Sequence, residues 1–253
     1  MSRIGFIGTG HIAAPMVRFL ADRGHSVIVS RRNADVAAHL SETHGVETAD
    51  NQTVLDRCDI VFLCLRPHIA EDVISGLEFR SDHQVVSVMA GIGLATLGSL
   101  CAPATAISMT IPLGFLEHGG CPLPACPTDA VLQELFAPEN PVFPVADEAA
   151  FNQHFAVCAF VPGVLDLMIS ATQWLGQTTG DVAQAELYTH QLLSEFLQSI
   201  SNDNTGFLMQ ERDALATEGT LSLMMTDGLQ SAGAHDALHD SLTRIGARLG
   251  GQQ

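Results

Sequence analysis

The chain has no lysine: all eleven basic residues among its 253 are arginine. Schiff-base catalysis, the Walker A phosphate lysine and a lysine general acid are therefore excluded. Basic residues are also too few to cluster, and the formal net charge is −17. Nonspecific nucleic-acid binding needs a basic surface, so no nucleic-acid partner is expected. Paired C-x-x-C motifs are missing as well. The six cysteines (58, 64, 101, 121, 126 and 158) read as buried free thiols rather than a disulfide framework. No charged n-region and apolar h-region precede the first strand, so no signal peptide is expected. Pro, Gly or Asp interrupts each apolar stretch, so no membrane span is expected either, and the chain reads as cytoplasmic. Aromatics are sparse at 6% against 47% hydrophobic residues, so the core must rest on Ala, Val, Ile, Leu and Met.

What is present is an alternation of short β-type runs with helical patterns. Strands are expected at Arg3–Ile7, His25–Ser30, Val46–Ala49, Asp59–Leu65, Gln84–Met89 and Ala104–Met109. Helices are expected at Gly10–Arg23, Ala34–Thr43 and Val131–Phe136. The strand runs are continuously apolar, the mark of parallel strands covered on both faces. Strands interleaved with helices make βαβ units. Cys121–Pro127 reads as a rigid loop, and Pro138–Val145 as a candidate edge strand. Beyond Asp147 strand signals vanish. Phe151–Gln177, Asp181–Ser199, Thr205–Ala216 and Thr220–Leu249 read as helices, with Gly163, Gly228, Gly233 and Gly246 weakening some of them. The expected fold class is α/β: a Rossmann-type parallel sheet domain over 1–147, then an all-helical domain over 148–253.

Gly8-Thr9-Gly10-His11-Ile12-Ala13 fits G-x-G-x-x-A. Alone such a match is weak, but here it follows a strand and opens an apolar helix, which is the context a dinucleotide site requires. Gly8 permits the tight turn, Gly10 lets the backbone approach a pyrophosphate, and Ala13 allows close helix–strand packing. Free N–H groups at the helix start would face the phosphates, and His11 would lie beside pyrophosphate or ribose. The second strand ends in Ser30-Arg31-Arg32-Asn33. An NAD site usually places Asp or Glu there to bind the ribose hydroxyls. Two guanidinium groups and a hydroxyl suit a 2′-phosphate instead, so the expected cofactor is NADP(H).

These segments, with Asp59–Pro67 (Asp-Ile-Val-Phe-Leu-Cys-Leu-Arg-Pro) and Ser87–Leu97 (Ser-Val-Met-Ala-Gly-Ile-Gly-Leu-Ala-Thr-Leu), occur in an order that resembles the pyrroline-5-carboxylate reductase family. The resemblance implies a Rossmann domain followed by a helical dimerisation domain, hence a homodimer. It implies hydride transfer from NADPH to the C=N bond of a small cyclic imine, as in proline biosynthesis. It also implies that Leu65, Arg66 and Pro67 lie along the cofactor, and that Ala90 and Gly91 lie near the nicotinamide.

The chain departs from that family where substrate would be held. Met-Pro-Asn-Thr-Pro becomes Met109-Thr110-Ile111-Pro112-Leu113. The Ser-Gly-Ser-Gly-Pro turn becomes Cys158-Ala159-Phe160-Val161-Pro162. The loop Thr-Ser-Pro-Gly-Gly-Thr-Thr becomes Ala216-Thr217-Glu218-Gly219-Thr220-Leu221-Ser222. Thr217 and Thr220 are the candidate substrate contacts, although Thr220 equally suits a helix N-cap. Glu218 would disfavour a carboxylate. A β-hydroxyacid dehydrogenase relies on a catalytic lysine, so the absence of lysine counts against that class. A protonated imine needs no strong protein acid. His235-Asp236-Ala237-Leu238-His239 resembles H-E-x-x-H but lacks the glutamate and a third ligand, so no metal site is expected. Two alternatives stay open: an NADP-dependent reductase of another acceptor (a carbonyl or a deazaflavin), and a non-catalytic NADP(H) sensor.

Overall fold

The computed structural model describes residues 3–201 and 205–251. Eight strands form one sheet: β1 (Ile4–Ile7), β2 (Val27–Ser30), β3 (Glu47–Ala49), β4 (Ile60–Leu63), β5 (Gln84–Ser87), β6 (Ala106–Thr110), β7 (Leu123–Cys126) and β8 (Val142–Pro144). Their order is β3-β2-β1-β4-β5-β6-β7-β8, and every pairing is parallel except β6 with β7. The chain winds outward from β1 to β3, then returns to β4 on the other side of β1. That reversal between β1 and β4 is the topological switch point at which doubly wound sheets bind ligands. It makes the expected Rossmann architecture a finding.

Helices α1 (Ala13–Asp22), α2 (Ala34–His44), α3 (Asn51–Arg57), α4 (Pro67–Ile74), α5 (Leu94–Leu100) and α6 (Ala130–Phe136) alternate with the strands. The few aromatics are concentrated where the layers meet. Phe6 of β1 stacks on Phe62 of β4 with ring centroids 4.7 Å apart, and Phe136 of α6 meets Phe62 edge-on at 6.1 Å and Phe19 of α1 at 5.6 Å. All four rings are essentially solvent-free. Truncating such a ring to alanine costs about 3–5 kcal/mol.

The expected loop at Cys121–Pro127 is instead an edge-proximal strand, β7, although it contains Pro124. Its ladder with β6 begins at Ala125, which pairs with Thr110, while Leu123 N–H donates to the Pro141 carbonyl on the other side. The ladder with β6 therefore asks for no N–H from Pro124, and the proline is tolerated. β8, inside Pro138–Val145, takes the outer edge as expected.

The helical half comprises α7 (Glu148–Cys158), α8 (Phe160–Thr179), α9 (Val182–Ser199), α10 (Phe207–Leu215), α11 (Leu221–Ser231) and α12 (Ala234–Leu249). Two expected long helices are each divided. Phe151–Gln177 is divided at Ala159, and Thr220–Leu249 at Gly233, where φ is +74°. Two compact units emerge: residues up to Phe155 together with the end of α12 from Ala247, and Ala156–Gly246. The division thus falls inside α7 rather than at 147. The start of α7 belongs with the sheet because the Glu148 carboxylate accepts from the Leu94 N–H at 3.0 Å and Phe151 is buried.

Within the second unit α8 packs on α9, where Gly176, Ala185 and Thr189 are buried. Its large apolar side chains are mostly open, including Leu165, Ile169, Trp174, Leu187 and Leu192. Glu148–Thr179 is also long and apolar enough, by length and composition, to cross a membrane. The stretch does carry Pro, Gly and Asp, at Pro162, Gly163 and Asp166, but the helix runs through all three. Pro162 lies in the first turn of α8, where the missing N–H would have no helical partner, and Gly163 simply continues the helix.

Candidate nucleotide-binding cleft

β1 ends at Ile7, and the chain must turn at once to start α1. Gly8 makes that turn with φ at +95°, a region that a side chain disfavours. A Cβ there would also lie 2.4 Å from the Cys64 carbonyl oxygen at the end of β4. Gly8 is therefore required twice, by conformation and by close approach. Gly10 is different: a Cβ there would meet nothing within 4 Å. Space lies in front of it, as a backbone that receives a ligand requires.

The turn is tied to the end of β2. Gly8 N–H donates to Ser30 Oγ at 2.9 Å, and Thr9 Oγ1 donates to the Ser30 carbonyl at 2.8 Å. Both side chains are buried. Ser30 therefore shapes the turn, and its hydroxyl is not directed at a phosphate as the sequence suggested. The residue at the N-cap of α1 is Ile12, which offers no capping side chain. The Ala14 N–H donates to the Gly10 carbonyl at 2.9 Å and Pro15 has no N–H, so the donors this helix start leaves for an anion are the amides ahead of Ala14.

A cleft of about 620 Å³ opens over this turn. Gly8, Thr9, Gly10, His11 and Ile12 form one wall, Arg32 and Asn33 a second, and Leu65 and Arg66 a third, with Val88 from the end of β5. Eight of the expected cofactor residues are therefore brought together. Arg31 is not among them. Its guanidinium donates to the Thr48 carbonyl at 3.2 Å and lines a separate hollow with Ser41 and Glu42. The expected arginine pair is thus split, with Arg32 facing the cleft and Arg31 facing β3. Pro67 is the first residue of α4, behind Arg66, while Ala90 and Gly91 lie on the loop after Val88, and none of the three is among the cleft-lining residues.

The electrostatics point the same way. The chain has 28 acidic residues, and Arg18, Arg23, Arg57, Arg80 and Arg212 each pair with a carboxylate. The side chains of Arg32 and Arg66, both exposed, have no hydrogen bond or ion pair among the described residues. Two free guanidinium groups over one helix start, in so acidic a chain, suit a polyanion. Cys64 also lines the cleft, but burial pushes its thiol far up, so it stays protonated and is no nucleophile.

Sequence reasoning missed Asn33, Cys64, Ile69 and Val88 as wall residues. Cys64 and Val88 directly follow β4 and β5, where strand-end position was the available signal, whereas Asn33 lies at the start of α2 and Ile69 within α4, with no such signal. No group of three or more potential metal ligands exists among the described residues.

In the second unit, Thr217 and Thr220 share the turn before α11. Thr220 Oγ1 accepts from Leu223 N–H at 3.1 Å and donates to the Thr217 carbonyl at 2.7 Å. Thr220 is thus the N-cap of α11, and its hydroxyl proton is committed. The Thr217 hydroxyl has no hydrogen bond among the described residues and is exposed, as is Glu218.

A family model described as "NADP oxidoreductase coenzyme F420-dependent" matches residues 3–91. Pyrroline-5-carboxylate reductase 3 of Macaca fascicularis is 29% identical over 116 residues, which is 44% of this chain and 42% of the relative. The match thus spans less than half of that curated relative. Two solved structures share the fold along nearly the whole chain. Pyrroline carboxylate reductase of Plasmodium falciparum, with NADP bound, has a TM-score of 0.84 at 12% identity, covering 99% of this chain and 98% of its own. Reductive aminase of Aspergillus terreus, in complex with NADPH and ethyl-5-oxohexanoate, has a TM-score of 0.64 at 16% identity, covering 98% of this chain and 92% of its own.

Proposed function

We propose, on the premise that this chain is related to the pyrroline-5-carboxylate reductases through its N-terminal domain and has their fold over its length, that it is an NADP(H)-dependent oxidoreductase that reduces a C=N bond. The observation that carries this reading is the pair of uncompensated arginines, Arg32 and Arg66, beside the uncapped start of α1. Gly10 and the amides between it and Ala14 would hold the pyrophosphate, and Arg32 the 2′-phosphate. The open space in front of Gly10 fits such a group.

Bound NADPH would supply a hydride, and the protein would supply orientation and a dry cleft. Leu65 and Val88 give that cleft apolar walls. No lysine is available as a proton donor, which suits an imine that arrives already protonated. Thr217, with its free hydroxyl, is the candidate substrate contact, and Thr220 holds the turn that presents it. Glu218 beside them repels a carboxylate, so pyrroline-5-carboxylate itself is a poor candidate and a cyclic imine without that group a better one. The apolar surface of the second unit suits burial against a second copy, in a homodimer. All six cysteines are free, as a cytoplasmic protein keeps them.

Incubating the protein with NADPH and a panel of cyclic imines, with and without a ring carboxylate, tests the reading. Loss of NADPH absorbance with a carboxylate-free imine is expected. Tight NADPH binding without turnover of any imine, carbonyl or deazaflavin would leave a sensor instead.

A further inference from the structure

The loop from Val88 to Gly93 joins β5 to α5 and starts in the cleft wall. It is pinned at both ends. Ser87 Oγ accepts from Met89 N–H at 3.2 Å, and Glu148 Oε2 accepts from Leu94 N–H at 3.0 Å. The second pin comes from 54 residues further along the chain, at the start of α7.

Two glycines in this loop exist for different reasons. Gly91 has φ +74° and open space around it, so backbone conformation requires it. Gly93 has φ −80° and ψ 167°, an extended conformation that any residue adopts. A Cβ there would lie 2.2 Å from Glu148 Oε1 and 3.3 Å from Oε2. The carboxylate of Glu148 occupies the place of the missing side chain. Glu148 itself is held by its surroundings: Asp147 Oδ1 accepts from Ala150 N–H at 2.8 Å, and Phe151 one turn on is 3% exposed.

The position of this loop in the sheet gives the contact its meaning. A dinucleotide bound across the switch point has one nucleotide over β1 and β2 and the other over β4 and the strands beyond it. Arg32 marks the first side and the β5–α5 loop borders the second. Accepting the NADP(H) reading above, we infer that Glu148 is a positioning residue: through Leu94 and Gly93 it sets the Ala90–Gly91 turn against the nicotinamide half of the cofactor.

Calorimetric titration with NADPH and with adenosine 2′,5′-bisphosphate, which lacks the nicotinamide half, tests this. Glu148→Ala weakens NADPH about 10-fold, the loss of one charge-assisted hydrogen bond, and leaves the bisphosphate within about 2-fold. Glu148→Gln keeps an acceptor for Leu94 N–H and restores most of the NADPH affinity. Gly93→Ala, which drives a Cβ into the carboxylate, gives the same split from the other partner. It is milder when combined with Glu148→Ala, because the clash is gone. Equal loss of both ligands, or loss of neither, overturns the inference, as does Glu148→Gln behaving like Glu148→Ala. A wild-type protein that binds neither ligand overturns the NADP(H) reading itself and this inference with it.

Discussion

Thr9 and Ser30 are locked together across the top of the sheet: the Thr9 hydroxyl donates to the Ser30 carbonyl at 2.8 Å, while the Ser30 hydroxyl accepts from the neighbouring Gly8 N–H at 2.9 Å. The glycine turn is thereby fixed to the end of the strand that carries Arg32. Replacing Ser30 by alanine leaves the Gly8 N–H buried without its acceptor, at a cost of about 1–3 kcal/mol. Urea denaturation of Ser30→Ala is expected to show that loss, and its NADPH affinity is expected to fall with it. An unchanged midpoint would mean that the pair contributes nothing to the turn.

The two glycines of the turn are expected to separate fold from ligand. Gly8→Ala meets the Cys64 carbonyl at 2.4 Å with φ at +95°, so the fold itself suffers, by about 2 kcal/mol or more. Gly10→Ala meets no protein atom within 4 Å. It should melt like the wild type yet bind NADPH far more weakly. Thermal melts and titrations of the two variants, run side by side, check this.

The splitting of the arginine pair gives a selectivity prediction. Arg32→Ala removes a charge-assisted contact to the 2′-phosphate, worth about 1.5–3 kcal/mol, so NADPH weakens roughly 10- to 100-fold while NADH is little changed. Arg31→Ala, whose guanidinium is turned to the Thr48 carbonyl, is expected to shift the NADPH-to-NADH preference much less. Titration of both variants with both cofactors reads the difference.

A pH prediction comes from the fully buried His83. Its Nδ1 accepts from Arg80 N–H at 3.0 Å, so Nε2 carries the proton and donates to the Leu55 carbonyl at 3.0 Å. Burial first, and the Arg80 guanidinium second, hold its pKa below the ordinary histidine value of 6.5. The folded state therefore binds this proton less readily than the unfolded chain. The sign follows: stability is full above about pH 6.5 and falls as the pH drops below it, until the folded form also protonates. Denaturation midpoints across that range should decline less steeply for His83→Gln than for the wild type.

The sheet and its helices were legible because buried parallel strands are continuous apolar runs, and Ile60–Leu63 could hardly be anything else. The strand at Leu123–Cys126 was hidden by Pro122 and Pro124, whose harmlessness depends on where the ladder with β6 begins. The turn at Gly8 and Gly10 was legible as a motif. Which arginine faces the cleft was not, because adjacent residues at a strand end point in opposite directions and only the backbone path decides between them. The Glu148 contact was illegible for a different reason: it is a pairing 54 residues apart with no local pattern. Thr220 could be read either as a cap or as a substrate contact, and its bond to Leu223 N–H establishes the cap.

The most direct test of the whole account is calorimetric titration of the purified protein with NADPH and NADH. Saturable uptake of NADPH, at least 10-fold tighter than NADH and reduced to parity by Arg32→Ala, is the result expected from a free guanidinium beside an uncapped helix start. No heat of binding with NADPH at millimolar concentration would contradict it, and the cleft would then need another occupant.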